Sequence, residues 1–493
     1  MTYGTMRKTR NILTIMLALA LASCGTYKRY ERPAQAVEGL ERLYGPDTTA
    51  TDTASIASLP WTELFTDPAL QALIREGLAN NTDLGIARLR VEEAEATLFT
   101  SRLAYLPSLT LAPQGQLGSY DGVKPDKTYS IAASAEWEVD LFGRLTNAKR
   151  GARAALEQSE AYRQAVQTQL VATIANSYYN LLTLDRQLDI SLRTLDSWTE
   201  IVRTYEVRKR VGEANEAAVA QALANKLSVE GSVLTLRKQI RAQENSLSDL
   251  LGRVPGPVSR TTLGEQRFPE KLAVGVPLQL LERRPDVRQT EVALAQAFYN
   301  TNAARSAFYP RITLSGSAGW TNNSGSAIIN PGNWLLSALG SLTQSLFQRG
   351  QNIANLRIAK ARQEEALLSF RQSLLRAGNE VNDALAQWQT ARSRLVIDAE
   401  QLDALHKAVR STQQLMEHST SASYLEVLTA RQTLLQAELT ETNDRFDQIQ
   451  GIINPNRSLE KLAFTLLEIH YNYDNNQAVC YNSEHNKSYH LTF

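Results

Sequence analysis

The chain has 493 residues, long enough for two or three domains, and its 52 basic and 51 acidic residues nearly cancel. That balance favours no nucleic-acid partner. Two cysteines cannot build a disulfide framework, the five histidines lack metal-ligand spacing, and the phosphate-binding GxxxxGK and nucleophile GxSxG motifs do not occur. We therefore expect no enzyme activity, no metal site and no bound cofactor.

The first residues are typical of a secretory signal peptide. A basic start precedes a short apolar segment, Asn11 to Leu21, which is too short to remain as a membrane span. The tetrad Leu21-Ala22-Ser23-Cys24 resembles the lipobox of bacterial lipoproteins, whose cysteine is acylated and becomes the first mature residue. We expect a signal peptide over 1–23, covalent diacylglycerol and N-acyl lipid on Cys24, and a lipidated linker over 24–59. The alternative is an ordinary cysteine near a cleavage site.

Strand-like alternation of apolar and small polar residues occurs in four segments. It is clearest at 130–141, where apolar residues such as Ile131 and Trp137 alternate with polar ones. Segments 109–118 and 312–320 follow the same pattern, and 334–346 follows it poorly. Such strands fit a lipid-exposed barrel, or a soluble sandwich with the apolar face inward. The lipid anchor favours the membrane.

Four strands cannot close a barrel alone, because lipid forbids open sheet edges and single-chain barrels begin at about eight strands. Several chains must then share one barrel. Two chains supply eight strands around a lumen filled by side chains, and three supply twelve around a pore. A trimer is favoured if something passes through.

Two long stretches, Asp126 to Val254 and Gly332 to Asn454, contain no proline, and long helices are predicted within them after the strand segments. In the first, apolar residues recur every seven positions at Leu181, Leu188, Leu195 and Val202, with a second seam at Leu184, Trp198 and Tyr205. The second repeats this spacing at Trp388, Leu395, Leu402, Val409 and Met416. This is the spacing of coiled-coil helices.

The second half of the chain repeats the first. YLPSLTL at 105–111 matches FYPRITL at 308–314, and the two heptad series match at a similar distance, so we infer a tandem duplication of a unit about 205 residues long. The predicted divisions are a first repeat at 60–255, an inter-repeat linker at 256–275, a second repeat at 276–454 and a divergent tail at 455–493, to which we assign no function.

Three motifs, in order, resemble the TolC-like outer-membrane efflux family in its lipoprotein branch. They are PWTELFTDPALQALIREGLANNTDLGIARLRVEEAEA at 60–96, LLERRPDVRQTEVALAQA with YPRITLSGSAGW at 280–320, and SYLEVLTARQTLL at 423–435. The resemblance implies a mixed α+β membrane protein: a homotrimeric 12-stranded β-barrel with four strands per chain, continued by a long α-helical coiled-coil periplasmic tunnel. It also implies a lipid-anchored place in the outer membrane of a Gram-negative bacterium.

In function, the resemblance implies the outer-membrane channel of a tripartite efflux system. Its partners would be a periplasmic adaptor and an inner-membrane resistance-nodulation-division pump, and its cargo drugs or other small molecules. One alternative is the outer duct of a type I protein-secretion system. A second, a structural envelope lipoprotein, explains Cys24 and the heptads but not the duplicated strand pairs.

The resemblance also assigns site residues. Glu426 matches an acidic position facing the narrow periplasmic entrance, where three copies would form a carboxylate ring; the alternative is a solvated helix face. Val211, Gly212, Glu213 and Ala214 match the adaptor-docking tip of the first helical hairpin. In the second hairpin Thr420 and Ser421 occupy the matching place, and its usual glycine is missing.

Overall fold

The structure is a computed structural model that describes residues 27–39, 60–118, 126–268, 284–322, 333–345, 347–418, 424–459, 468–472, 477–482 and 487–492. The predicted lipidation residue Cys24 and the predicted docking residues Thr420 and Ser421 lie outside the described residues.

The helices and strands of the described residues follow an order that occurs twice. They are α1 (Trp61–Leu64), α2 (Pro68–Asn80), α3 (Thr82–Leu103), β1 (Ser108–Gly118), β2 (Asp126–Val139), α4 (Arg144–Arg210), α5 (Glu216–Leu250), α6 (Pro285–Ser306), β3 (Arg311–Asn322), β4 (Asn333–Thr343), α7 (Gln351–His418), α8 (Tyr424–Leu459), β5 (Glu468–Asn472), β6 (Gln477–Asn482) and β7 (Lys487–Thr492). Helices α3 and α6 have 22 residues each, α4 and α7 have 67 and 68, and α5 and α8 have 35 and 36. The matching lengths agree with a duplication.

The chain divides into two compact units that do not coincide with the two repeats. One unit contains β1 to β4, α3, α6 and the first parts of α4 and α7. The other contains α1, α2, α5, α8 and the remainders of α4 and α7. Each unit draws on both halves of the sequence, because equivalent elements of the two repeats pack together.

In the first unit, β1 to β4 form an antiparallel sheet in sequence order. The register pairs Leu109 with Ala135, and Trp137 with Leu314. Because side chains alternate between the faces of a strand, this register gathers the predicted apolar residues on one face. The outer strands β1 and β4 each have one partner within the described sheet.

Strand β2 ends two residues earlier than the sequence pattern predicts. Asp140 leaves the strand and caps α4 instead: its Oδ1 accepts from Leu145 N at 3.1 Å, and its Oδ2 accepts from Thr146 N at 2.7 Å. These are amide groups that a helix start leaves without partners. Capping therefore overrides the alternation, which by itself continues through Leu141.

In the second unit, the long helices pack around aromatic residues of α4. Trp198 is 0% exposed and Tyr205 2%, and both pack with small residues of α5 and with Leu428 and Leu435 of α8. The heptad residues Leu195 and Val202 are only partly buried. The second seam of the predicted coiled coil is therefore the deeper one around Trp198 and Tyr205, whereas Leu181 of the first seam is the buried residue earlier in α4.

A hydrogen-bond cluster around Asp67 joins the start of α2 to α4 and to the segment after α5. Asp67 caps α2 through Ala69 N at 2.8 Å, and its Oδ2 accepts from Tyr178 Oη at 2.6 Å and from Gln266 Nε2 at 3.0 Å. Burial alone would raise the pKa of Asp67, but hydrogen bonds from Thr261, Tyr178 and Gln266 lower it below its ordinary value. The folded protein therefore favours the charged carboxylate.

The C-terminal region differs from the predicted boundary at Asn454, because α8 continues to Leu459. Pro455 costs one intrahelical hydrogen bond near the helix end and does not terminate it. Strands β5 to β7 follow as an antiparallel sheet. Among the described helices, none combines the length and the apolarity that a membrane span requires.

Candidate functional site

One face of the four-stranded sheet is polar and lines a concave space of about 660 Å³. Its strand residues are Glu136, Glu138, Thr313, Ser315, Ser341 and Thr343. The starts of α4 and α7 contribute Arg144 and Asn352. Polar residues that alternate with lipid-facing ones are typical of the lumen side of membrane β-barrels.

Glu138 forms ion pairs with two arginines at this polar face. Arg144 donates to both carboxylate oxygens of Glu138, from Nε at 2.6 Å and from Nη2 at 2.5 Å. Arg311, at the start of β3, places its Nε 3.7 Å from Glu138 Oε2. Bidentate arginine pairing fixes direction as well as distance, so Glu138 sets how α4 leaves the sheet.

The opposite face of the sheet is apolar and exposed in the single chain. Leu109, Trp334 and Leu336 are each at least 80% exposed. Tryptophans stand at both ends of this face. Trp137 donates from Nε1 to Tyr105 O at 2.9 Å at the helix end, and Trp320 packs edge-on against Trp334, with ring centroids 6.0 Å apart, at the loop end.

The two aromatic levels lie on either side of the apolar residues of this face. Trp137 pairs with Leu314, six residues before Trp320 on the same strand, so the two levels are about 20 Å apart along the strand. An apolar band between two aromatic girdles is the pattern of membrane strands. We therefore interpret the apolar face as lipid-facing and the polar face as lining a lumen.

The segment that follows Cys24 is tied to the helix end of this sheet. Tyr27 Oη donates to Asp140 O at 2.7 Å, and Arg150 Nη1 donates to Tyr27 O at 2.9 Å. Farther along, Arg32 forms a bidentate pair with Glu291 of α6, at 2.6 and 2.8 Å.

The first hairpin tip, Val211 to Ala214, joins α4 to α5. Gly212 has φ of 82°, a left-handed conformation that favours glycine. Its neighbour Glu213 donates from its backbone N to Arg208 O at 2.8 Å, which closes the end of α4. Val211 is 66% exposed at this turn. The predicted docking residues of the first hairpin therefore form an exposed, well-defined tip.

Glu426 lies in the first turn of α8, the helix that follows the second hairpin tip. It is exposed, as are Leu425 and Thr429, whereas Val427 and Leu428 are each 2% exposed. The helix therefore buries one face and presents Glu426 on the other. Its place in a ring across a threefold axis stays a prediction.

The sequence reading missed a buried pair of carboxylates in the second hairpin. Asp398 of α7 is 7% exposed and Asp444 of α8 is 3% exposed. A signal was present, since Asp398 falls seven residues after Ala391 and seven before Leu405, on a core seam of the heptad pattern. An aspartate at such a position marks a polar interruption of the core.

Comparison with known proteins identifies the family. The family described as "Outer membrane efflux protein" matches residues 73–253 and 276–453, once for each repeat. The cation efflux system protein CusC of Escherichia coli K12 is 30% identical over 433 residues, covering 87% of this chain and 94% of CusC. The solvent efflux pump outer membrane protein SrpC of Pseudomonas putida is 31% identical over 468 residues, covering 91% of this chain and 97% of SrpC.

Solved structures agree. The open state of the MtrE outer membrane channel of Neisseria gonorrhoeae superposes with a TM-score of 0.79 at 28% identity, covering 88% of this chain and 97% of MtrE. This likeness confirms the predicted fold class, in which barrel strands are continued by long tunnel helices, and the predicted outer-membrane location. The chain belongs to the outer membrane efflux protein family and is an outer-membrane efflux channel.

Proposed function

We propose that three copies of this chain form one channel, which receives drugs or other small molecules from a periplasmic adaptor and an inner-membrane pump of the resistance-nodulation-division class. The observation that carries this proposal is the four-stranded sheet, with one exposed apolar face, one polar face and two outer strands that lack a second partner in the described sheet. Twelve strands from three chains close such edges around an open lumen.

The helical hairpin ends are the proposed contact with the adaptor. The first tip, Val211 to Ala214, offers an exposed valine beside a glycine turn, which leaves the backbone open to a partner. Thr420 and Ser421 would supply the second contact. Small hydroxyl side chains can replace a glycine in a close contact only if the partner leaves room for a Cβ atom.

The lipid on Cys24 is the proposed second attachment to the membrane. Tyr27 is held at the point where β2 leaves the sheet, next to the Trp137 aromatic level. A lipid three residues earlier in the chain therefore reaches the same membrane surface, where each buried methylene contributes about 0.8 kcal/mol. Mass spectrometry of the mature N-terminus tests this, and an unmodified Cys24 contradicts it.

Glu426 is the proposed selectivity residue at the entrance. Its exposure on the unpacked side of α8 is compatible with three carboxylates converging on the channel axis, which would attract polyvalent cations. Glu426→Gln should therefore weaken block by a trivalent cation added on the periplasmic side. Glu400→Gln, at an exposed glutamate of α7, is the matched control. Equal block in all three proteins would place Glu426 away from the pore.

The central test is the conductance of the purified protein in planar lipid bilayers, together with its mass in detergent. We expect stable single-channel steps and a mass of three chains. A monomer that conducts would contradict both the shared barrel and the trimer. Co-purification with a candidate adaptor, lost when Gly212 is replaced by valine, tests the docking tip separately.

A further inference from the structure

A cavity of about 120 Å³ lies between α4, α7 and α8 in the helical unit. Its polar lining comes from Arg193, Thr194, Ser197, Trp198, Arg431 and Glu438. The lining therefore holds two guanidinium groups and one carboxylate. A volume of this size accommodates several waters or one tetrahedral anion.

Two buried donors at this cavity have no acceptor in the described structure. Trp198 is 0% exposed, and its Nε1 has no hydrogen-bond partner. Arg431 Nε is likewise buried and without a partner. Leaving a buried donor unpaired costs about 1–3 kcal/mol, more for a charged group, so buried donors are nearly always satisfied. Both donors belong to residues that line the same cavity, which indicates a shared acceptor.

The charge of Arg431 also lacks a counter-ion among the described residues. Its Nη1 donates to Ser197 Oγ, and its Nη2 donates to Gln413 Oε1 at 3.0 Å, both neutral acceptors. Burial lowers the pKa of Arg431, and no carboxylate contributes in the opposite direction. Glu438 lines the same cavity without forming an ion pair in the described part of the chain, and Arg193 has its own partner, Asp189, at 3.3 Å.

We propose that this cavity is a binding site for a small inorganic oxyanion of the phosphate or sulfate class. A tetrahedral anion presents acceptor oxygens in several directions at once, which suits donors arriving from two different helices. The indole N–H of Trp198 and the Nε–H of Arg431 bind the anion directly. Thr194 and Ser197 offer hydroxyl donors, and Arg193 lies at the rim.

The bound anion links the two repeats near the hairpin ends. Trp198 belongs to α4 of the first repeat, and Arg431 to α8 of the second. Arg431 lies seven residues after Tyr424, where α8 begins, or about 10 Å along the helix. The anion therefore braces α4 against α8 close to the second hairpin tip. Binding itself does not depend on the proposed trimer or on its partners.

Isothermal titration calorimetry tests the site on the full-length protein in detergent, with sodium sulfate and sodium phosphate titrated at constant ionic strength in chloride buffer. We expect saturable binding of one anion per chain. Trp198→Phe keeps the ring and removes the N–H, and Arg431→Lys keeps the charge and removes Nε. Each should weaken binding about tenfold or more, as expected for the loss of one charge-assisted hydrogen bond.

Arg203→Gln is the matched control, because it removes an exposed arginine from α4, the helix that carries Trp198. The affinity of this variant for the anion should equal that of the wild type. Circular dichroism verifies that each variant is folded, and Arg431→Lys decides the matter if Trp198→Phe does not fold. Absence of saturable binding overturns the proposal. Equal binding by the wild type and both pocket variants also overturns it, because the anion would then bind elsewhere on the protein.

Discussion

Replacing Asp444 by asparagine should stabilise the protein at neutral and alkaline pH. Asp444 of α8 and Asp398 of α7 are both buried. Among the described residues, one arginine pairs with Asp444, with Arg394 Nε 3.1 Å from Asp444 Oδ2. Burial first, then the hydrogen bond with Asp398, raises the pKa of Asp444 to about 6, and Arg394 only partly opposes this. The nearby Asp447 adds further negative charge.

The direction of the pH effect on stability follows from the number of protons bound in the folded and unfolded states. A carboxyl whose folded pKa is about 6 and whose ordinary pKa is 3.8 binds more protons in the folded state than in the unfolded state between these values. Stability therefore falls as pH rises from about 4 to about 6. At about 1.4 kcal/mol for each tenfold difference in proton affinity, this amounts to about 3 kcal/mol above pH 7.

Asparagine has nearly the same shape, carries no charge and can donate to Asp398. The lost ion pair with Arg394, whose side chain is 53% exposed, offsets at most about 1 kcal/mol. We therefore expect Asp444→Asn to gain about 2 kcal/mol at pH 8 and about 1 kcal/mol or less at pH 4.5.

The measurement is the apparent Tm in detergent at a fixed scan rate, from pH 4.5 to pH 8, since unfolding of a membrane protein is rarely reversible. The variant should show a higher Tm at pH 8 and a flatter pH profile. Asp403→Asn, at an exposed aspartate on α7 that pairs with Lys407, should leave the profile unchanged. If Asp444→Asn lowered the Tm equally at both pH values, the charged Asp444 carboxylate would not be what destabilises the protein at high pH.

Three further substitutions test two close backbone contacts and one hydrogen-bonded carboxylate. Gly451→Val should cost about 1–3 kcal/mol of stability and lower the apparent Tm, because a Cβ at this position would lie 2.8 Å from Trp388 Cβ of the neighbouring helix. The control is Gly231→Ala, which adds a methyl group in open space and should be neutral or stabilising. Gly319→Val should reduce the amount of channel in the outer-membrane fraction, because its Cβ would lie 2.2 Å from Ile131 O and disrupt the pairing of β2 with β3. Asp67→Asn should flatten the acid limb of the Tm profile, because the lowered pKa of Asp67 contributes stability that is present above its ordinary pKa and lost as pH falls below it; an unchanged acid limb would contradict this.

The architecture could be predicted because its signals are local and repeated. Strand alternation at 130–141 and heptad spacing in the long helices depend only on residues a few positions apart, and the duplication shows each signal twice. The weak alternation at 334–346 still marked the place of β4, although the structure ends that strand at Thr343. The strand count favoured a trimer, and the family motifs then supplied the adaptor and the pump, which no periodicity shows.

What only the tertiary structure decided is which polar groups are buried, and against what. Asp398, Asp444 and Arg431 look like ordinary residues of charged helices in the sequence. Asp398 and Asp444 are buried and Arg431 is half-buried, because the helices bring apolar surfaces together and carry these side chains with them, as when Arg431 meets Ser197 of the other repeat. Periodicity determines which face of a helix is apolar. The partners of that face depend on contacts between different helices, from the two helices of one hairpin to residues 234 positions apart in the chain. These contacts therefore also decide how the charges between the helices are paired and protonated.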